Sequence, residues 1–276
     1  MSLKNIAKET LAIIEDGGFI NGAGKRIDFS EQQTAAIANT RLYTPAQLES
    51  LFTKQTSCGE SNLSIEVTDE TTQIAAHRLA HNEGCSDLAL LNFASARNPG
   101  GGFINGAKAQ EEDVTRCSGL YPCLLAQPTY YEVNRKQESL LYTDHMIYSP
   151  KVSFFRTQSR SLLDYYFLVS VITAPAPNAG EYLRRNPDGQ ANLEETFWRR
   201  AKMVLTVARD NNHRTLVLGA WGCGVFRNDP HFVADVFATW LASSEFHGCF
   251  EQVVFAVYDP SKLQNTLRAF QSRFQQ

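Results

Sequence analysis

The sequence predicts an α/β sandwich with a buried sheet, and three observations carry that prediction. Short apolar runs alternate with amphipathic stretches from about residue 63 to the end of the chain. Several of those runs, Leu88–Ala94 and Leu216–Leu218 among them, are nearly continuous rather than alternating, as strands covered on both faces are. The 276 residues are 43% hydrophobic and 20% charged, enough to bury a core of that kind. The length suits one large or two small domains, and one elaborated domain is the simpler reading.

The elements follow in order. Asn5 to Glu15 carries apolar side chains at Ile6, Leu11, Ile13 and Ile14, and Gly17-Gly18 ends it, so a helix is expected there. Residues 18–40 are polar and weakly patterned, which suggests an extension wrapping the main domain. Thr44 before Pro45 reads as the N-cap of a short helix through Leu51. Thereafter a strand is expected over Leu63–Val67, a helix over Glu70–His81 and a strand over Leu88–Ala94. A glycine loop leads into one helix from Gln110 toward Leu125. Strands over Ile147–Phe155 and Tyr166–Ile172 precede a long helix over Leu193–Asp210. A short strand, Leu216–Leu218, a helix over Phe232–Leu241, a strand over Val253–Tyr258 and a helix over Lys262–Phe274 complete the chain. Residues 1–60 are read as an accessory extension and 61–276 as the core.

Composition narrows the function. A net charge of −3 leaves no broad basic surface, so direct nucleic-acid binding is not expected. The N-terminus lacks the pattern of a signal peptide, and no stretch approaches the ~18 uncharged apolar residues of a membrane span. The six cysteines contain no C-x-x-C pair and read as reduced, mostly buried thiols. A cytoplasmic protein is expected.

Two loops carry the chemistry, each after a strand whose carboxyl end it extends. The first holds Gly100-Gly101-Gly102 and, seven residues on, Gln110-Glu111-Glu112. A glycine run exposes backbone N–H groups and lets a phosphate approach the chain. Carboxylates nearby would repel that phosphate unless one of them acts on a bond beside it. Each half also has an ordinary explanation: Asn-Pro-Gly makes turns, and acids favour the first turn of a helix. The second loop, Gly219-Ala220-Trp221-Gly222-Cys223-Gly224-Val225-Phe226, has backbone donors for a diphosphate and an aromatic ring for a ribose or base. It matches neither a Rossmann fingerprint nor a P-loop. Both loops can face one crevice beyond the strand ends.

The run from Asn92 to Glu112, the stretch Thr115-Arg116-Cys117-Ser118-Gly119-Leu120-Tyr121-Pro122, and the second loop together resemble the poly(ADP-ribose) glycohydrolases, the bacterial-type branch best. The resemblance covers the chain from Ile65 onward. It implies a macrodomain-like three-layer α/β/α sandwich with a mixed sheet, and an N-terminal helical extension. It also implies Glu112 as the catalytic acid, with Glu111 and Gln110 holding ribose hydroxyls beside the scissile bond. Gly100, Gly101 and Gly102 would pass close to the diphosphate and terminal ribose, with Asn98 as a further ribose contact. Gly222, Cys223, Gly224 and Val225 would cover the diphosphate, and Phe226 would shield the ribose. Ser95-Ala96-Arg97 departs from animal members, which commonly carry an Asn at this strand exit. The implied substrate is poly(ADP-ribose) or an ADP-ribosylated protein, with ADP-ribose as product and no metal or cofactor.

The residue chemistry agrees in part. Adjacent helical residues point about 100° apart, so Glu111 and Glu112 are not expected to share one task or to flank a sugar as paired glycosidase carboxylates do. A single protonating glutamate is the expected mechanism. Hydrolysis of single ADP-ribose units, or ADP-ribose binding without turnover, are the rival readings. His77 and His81, four apart on one helix, lack a third ligand and read as surface or packing residues rather than a metal pair. Cys223 has no assignable base and reads as a small loop residue. Arg184 and Arg185 read as a solvated pair. Thr71 and Thr72 are the nearest candidates for adenine contact.

Overall fold

The computed structural model describes residues 2–54, 58, 62–158 and 161–275. The first helix, α1 (Leu3–Glu15), is capped by Ser2, whose hydroxyl accepts from the Asn5 N–H at 3.3 Å. Gly17, at φ +64°, turns the chain out of it. A small hairpin, β1 (Gly18–Ile20) with β2 (Arg26–Asp28), and helix α2 (Ser30–Asn39) occupy the stretch that the sequence left unpatterned. The edge strand β3 (Arg41–Tyr43) follows. Helix α3 (Pro45–Thr53) has Thr44 as its N-cap in a reciprocal capping box with Gln47. The domain boundary expected at residues 60 and 61 lies outside the described residues. Residues 41–43 pair with residues 146–148, so the extension supplies one edge of the main sheet.

The core begins with β4 (Ser64–Thr68) and α4 (Thr72–His77), which a single π turn, Arg78–Asn82, extends. Next come β5 (Leu88–Phe93), α5 (Gln110–Cys117), α6 (Leu120–Leu125), α7 (Pro128–Lys136), β6 (Met146–Phe154) and β7 (Phe167–Ala174). Helices α8 (Ala179–Arg185) and α9 (Gln190–Asp210) cross to β8 (Thr215–Leu218). Helix α10 (Pro230–Leu241), β9 (Gln252–Ala256) and α11 (Asn265–Phe274) close the chain.

Among the described residues seven strands form one sheet in the order β3-β6-β7-β5-β8-β9-β4. The strands from β7 to β4 are mutually parallel, while β6 runs antiparallel to both β7 and β3, so the sheet is mixed. Strand alternation divides the core into two layers. Ala89, Leu91, Leu216, Leu218, Val253 and Phe255 face the layer of α3, α9, α10 and α11. Leu88, Leu90, Val217 and Val254 face that of α2, α4, α5, α6 and α7. This is the expected three-layer sandwich, and the near-continuous apolar runs are strands buried on both faces.

Three expectations need correction. The helix from Gln110 to Leu125 is two helices, because Ser118 bridges to Phe154 and the Gly119 N–H donates to the Ser153 carbonyl at 2.8 Å. A side chain at Gly119 would also collide with the Gln33 amide, which donates to the Gly119 carbonyl at 2.9 Å. Sheet and extension together therefore interrupt a helix that local propensity would continue. Secondly, the cysteines are not all reduced: Cys58 and Cys249, 191 residues apart, form a disulfide. No local spacing could reveal a pair made by tertiary proximity. Cys85, Cys117, Cys123 and Cys223 are thiols. Thirdly, α7 and α8 have no counterpart in the pattern read from the sequence. His77 and His81 pack as expected, stacked on Tyr165, with the His77 Nε2 hydrogen-bonded to the Tyr165 hydroxyl at 2.6 Å.

Candidate active site

Neighbouring parallel strands bring the two glycine loops together. β5 pairs with β7 on one side and β8 on the other, so the loops after β5 and β8 leave the same end of the sheet. The Ala174 carbonyl at the end of β7 accepts from the Ala94 N–H at 3.1 Å and from the Trp221 indole N–H at 3.2 Å. One acceptor thus joins three strand ends. Trp221 is fully buried and fixes the second loop from below; truncating such a side chain typically costs about 3–5 kcal/mol.

In the first loop, Gly101 is at φ +58°, a conformation natural to glycine and costly for side chains. Its Cα faces both acids: an added Cβ would overlap Oε1 of Glu112 and lie 3.1 Å from Oε2 of Glu111. The two carboxyl groups therefore converge on one point despite their 100° separation around α5. That corrects the expectation of divergence, since side-chain length and χ rotation override the helical projection. Their partners still differ. Glu112, half-buried, accepts from the Gly102 N–H at 2.9 Å. Glu111, 3% exposed, accepts from the Ser95 N–H at 2.7 Å and from Asn92 Nδ2 at 3.2 Å.

Gln110 braces α5 against the sheet. Its carbonyl oxygen accepts from the Phe93 N–H at 2.8 Å, and its amide nitrogen donates to the Leu91 carbonyl at 2.8 Å and to Thr72 Oγ1 at 3.1 Å. Those bonds occupy both ends of the amide and also engage Thr72; the Thr71 hydroxyl is buried without a hydrogen-bond partner among the described residues. Asn98 is exposed, and its carbonyl accepts from the Gly101 N–H at 3.0 Å, closing the turn around Gly100. Arg116, fully buried, ties the end of the loop to α5 by donating to the Ala107 carbonyl at 2.7 Å and to Asp113 at 2.6 Å. Its own carbonyl accepts from Thr10 on α1 at 2.8 Å, so the extension holds the site from behind.

In the second loop, Gly222 is at φ +76°, and an added Cβ would strike Asn228 Nδ2 and Ala176 Cβ. Buried Asn228 donates to the Gly222 carbonyl at 3.0 Å and the Pro177 carbonyl at 2.9 Å. Gly224 and Val225 stand in solvent, Val225 at 85% exposure, and nothing lies within 4 Å of a Cβ built on Gly224. Phe226 is half-buried and tilts against Tyr142 at 6.1 Å. Burial holds the Cys223 thiol well above its usual range, which suits a packing residue and not a nucleophile.

Two contributors escaped the sequence reading. Asn92 is wholly buried and also donates to Thr173 Oγ1 at 3.2 Å; a lone amide inside the apolar run Leu88–Phe93 was the available signal. Arg200, also fully buried, pairs with Asp144 at 2.8 Å and donates to the Tyr142 carbonyl at 3.3 Å and the Pro175 carbonyl at 2.9 Å. It fixes the segment that carries Phe226's neighbour, and an arginine in a long amphipathic helix gave no hint of that. Among the described residues no cluster of three or more His, Cys, Asp or Glu side chains could hold a metal, and no helix is long and apolar enough to cross a membrane.

Burial pushes the Glu111 carboxyl up to about 8, the Glu112 charge adding to it and the Ser95 and Asn92 donors opposing it. Its folded value thus lies above its unfolded one, near 4.5. The stability gained from a protonated Glu111 is complete below pH about 4.5 and is lost as pH rises toward about 8, by up to about 1.4 kcal/mol per pH unit. Urea unfolding at pH 5, 6.5 and 8 should show the wild type declining relative to Glu111→Gln, which keeps a neutral amide there. Parallel pH profiles for the two proteins would contradict a raised Glu111.

A model of the microbial-type PARG catalytic domain matches residues 7–157, more than half of the chain. The chain is 43% identical to poly(ADP-ribose) glycohydrolase from Thermomonospora curvata, with a TM-score of 0.91 over 99% of both chains. The same protein bound to the inhibitor ADP-HPD matches at 42% identity and a TM-score of 0.90, again over 99% of both chains. The Deinococcus radiodurans enzyme in complex with ADP-ribose matches at 49% identity and a TM-score of 0.82, over 87% of this chain and 96% of that one. No curated protein sequence matches. Two glycine loops at one end of the sheet, the first of them closed on paired glutamates, and a fold shared along the full length at this identity, place the chain in the microbial-type poly(ADP-ribose) glycohydrolase family.

Proposed function

We propose that the protein hydrolyses the ribose–ribose O-glycosidic bonds of poly(ADP-ribose) and releases ADP-ribose, with Glu112 as general acid and then general base. The observation that carries this reading is the convergence of Glu112 and Glu111 on Gly101, in a loop that leaves the same end of the sheet as the second glycine loop. The diphosphate lies across Gly100–Gly102 and Gly222–Val225, and Phe226 covers the ribose. Glu111 meets a ribose hydroxyl beside the scissile bond, and Asn98 lies at the rim. Gln110, with its amide engaged by β5, serves by holding α5 in register.

Glu112 gives its proton to the leaving ribose oxygen as the glycosidic bond breaks. The oxocarbenium-like ribose is stabilised by the substrate's own diphosphate. Glu112 then takes a proton from the incoming water, which restores the acid. Both oxygens of Glu111 are held, by Ser95 and Asn92, whereas Glu112 accepts from the Gly102 N–H through Oε1, and this division supports one acid over two.

The partners are poly(ADP-ribose) or ADP-ribosylated protein, without direct nucleic-acid binding, in a cytoplasmic setting. Product release from labelled polymer and from mono-ADP-ribosylated protein tests the reading. Rapid release of ADP-ribose from the polymer is expected. Release from the mono-modified protein alone, or tight binding with no release from either, would replace it with one of the rival readings.

A further inference from the structure

A cleft of about 390 Å³ opens between α2 and the antiparallel edge of the sheet, within the roughly 300–1,000 Å³ range of small-molecule sites. It lies apart from the glycine loops. Its walls include Leu168, the second residue of β7, and Asn211, which caps the C-terminus of α9; both mark the end of the sheet from which the parallel strands start. The glycine loops leave the opposite end, about 25 Å away along an eight-residue strand.

The lining is one-sided in charge. Arg41 and Lys151 contribute two cations, Gln32 and Asn211 contribute amides, Tyr148 contributes a ring, and no lining residue is acidic in a chain of net charge −3. Lys151 is exposed, and its ammonium makes no ion pair among the described residues. A bulge in β6 turns it outward: the register with β7 shifts between Ser149 and Val152, and Lys151 sits at φ +47° with its N–H donating to Ser170 Oγ at 3.1 Å. Bulges re-aim side chains at sheet edges. The Arg41 guanidinium lies over the rings of Tyr43 and Tyr148, at 5.3 and 5.4 Å, and is half exposed. The carboxylate beside it, Asp210, is 4.0 Å away and already accepts from the Tyr43 hydroxyl at 2.8 Å. Arg41 also donates to Asn211, which lines the same cleft.

We infer that this cleft is a second, non-catalytic site for the diphosphate of an ADP-ribose unit, held between Arg41 and Lys151. The inference rests on the proposed polymer activity, because a chain with a diphosphate in every unit can occupy two distant sites at once. Two-site occupancy raises the affinity for long chains without altering the chemistry. Chains too short to span the two sites gain nothing.

KM and kcat for long and short polymer, compared in the wild type, Lys151→Glu and Arg41→Gln, test it. The wild type is expected to show a lower KM for long chains. Each substitution should raise that KM about fivefold, as one exposed ion pair would, with kcat and the short-chain KM unchanged. Lys151→Glu removes no packing, so it reports even if Arg41→Gln disturbs the tyrosine contacts. Calorimetry with ADP-ribose supplies the second arm: loss of a second bound equivalent in the variants supports the same site filled by free product. Unchanged long-chain KM together with unchanged ADP-ribose stoichiometry would overturn the inference. A wild type that cuts neither polymer would instead reject the catalytic reading, leaving calorimetry to decide the cleft.

Discussion

Glu112→Gln is expected to lower kcat for polymer cleavage by about 10²–10⁴-fold, the usual range for losing a general acid–base, while ADP-ribose affinity stays within about threefold. Glutamine keeps an oxygen where Glu112 Oε1 accepts the Gly102 N–H, so the glycine loop has no reason to move. It also removes the only function the mechanism asks of this side chain, a proton given and regained. Binding measured with ADP-ribose reports the loop, and single-turnover cleavage reports the proton. Turnover within tenfold of the wild type would remove Glu112 from the acid's role. Loss of binding as severe as loss of turnover would mean that the carboxyl group builds the loop and does not act on the substrate.

Gly101→Ala tests the same geometry from the other side, and kcat is expected to fall about 10²-fold. The added methyl group would occupy the space of Glu112 Oε1 and press on Oε2 of Glu111. The residue must also hold φ +58°, which costs a non-glycine residue about 1–2 kcal/mol. The strain is tolerable for a core of this size, so the fold survives while the acid is displaced. A displacement near 1 Å at a reacting centre is enough for a hundredfold loss. Circular dichroism and thermal melting should report a folded protein with a slightly lowered Tm. Near-normal kcat in a folded variant would show that Glu112 has another productive position, and the argument from convergence would fail.

Some of this was legible in the chain and some was not, for reasons that differ residue by residue. Leu88–Phe93 could be read as a doubly buried strand because burial on both faces leaves an apolar run in any context. Thr44 and Pro45 announced α3 because an N-cap and a first-turn proline act within a few residues of each other; the capping box with Gln47 came with the structure. The π turn after α4 and the break at Ser118 were illegible, since the second is imposed by Ser153 and Gln33, far away in sequence. The glycine triplet and Gln110-Glu111-Glu112 were visible as a pattern, yet their division of labour was not. Gln110 faces the backbone of β5, and Glu111 is buried against Asn92 and Ser95, which only the packing of α5 on β5 could decide.

By itself the sequence determined the periodicities, the caps and the two loops with their chemistry, because those depend on residues within a few positions of each other. Tertiary structure decided that β5 and β8 are neighbours, that both acids meet at Gly101, that Cys58 finds Cys249, and that Arg41 and Lys151 share a cleft. Each of these joins residues whose separation along the chain carries no local signal. Long-range pairing of strands and the exclusion of water from the core select them, and neither can be read from a short window of residues.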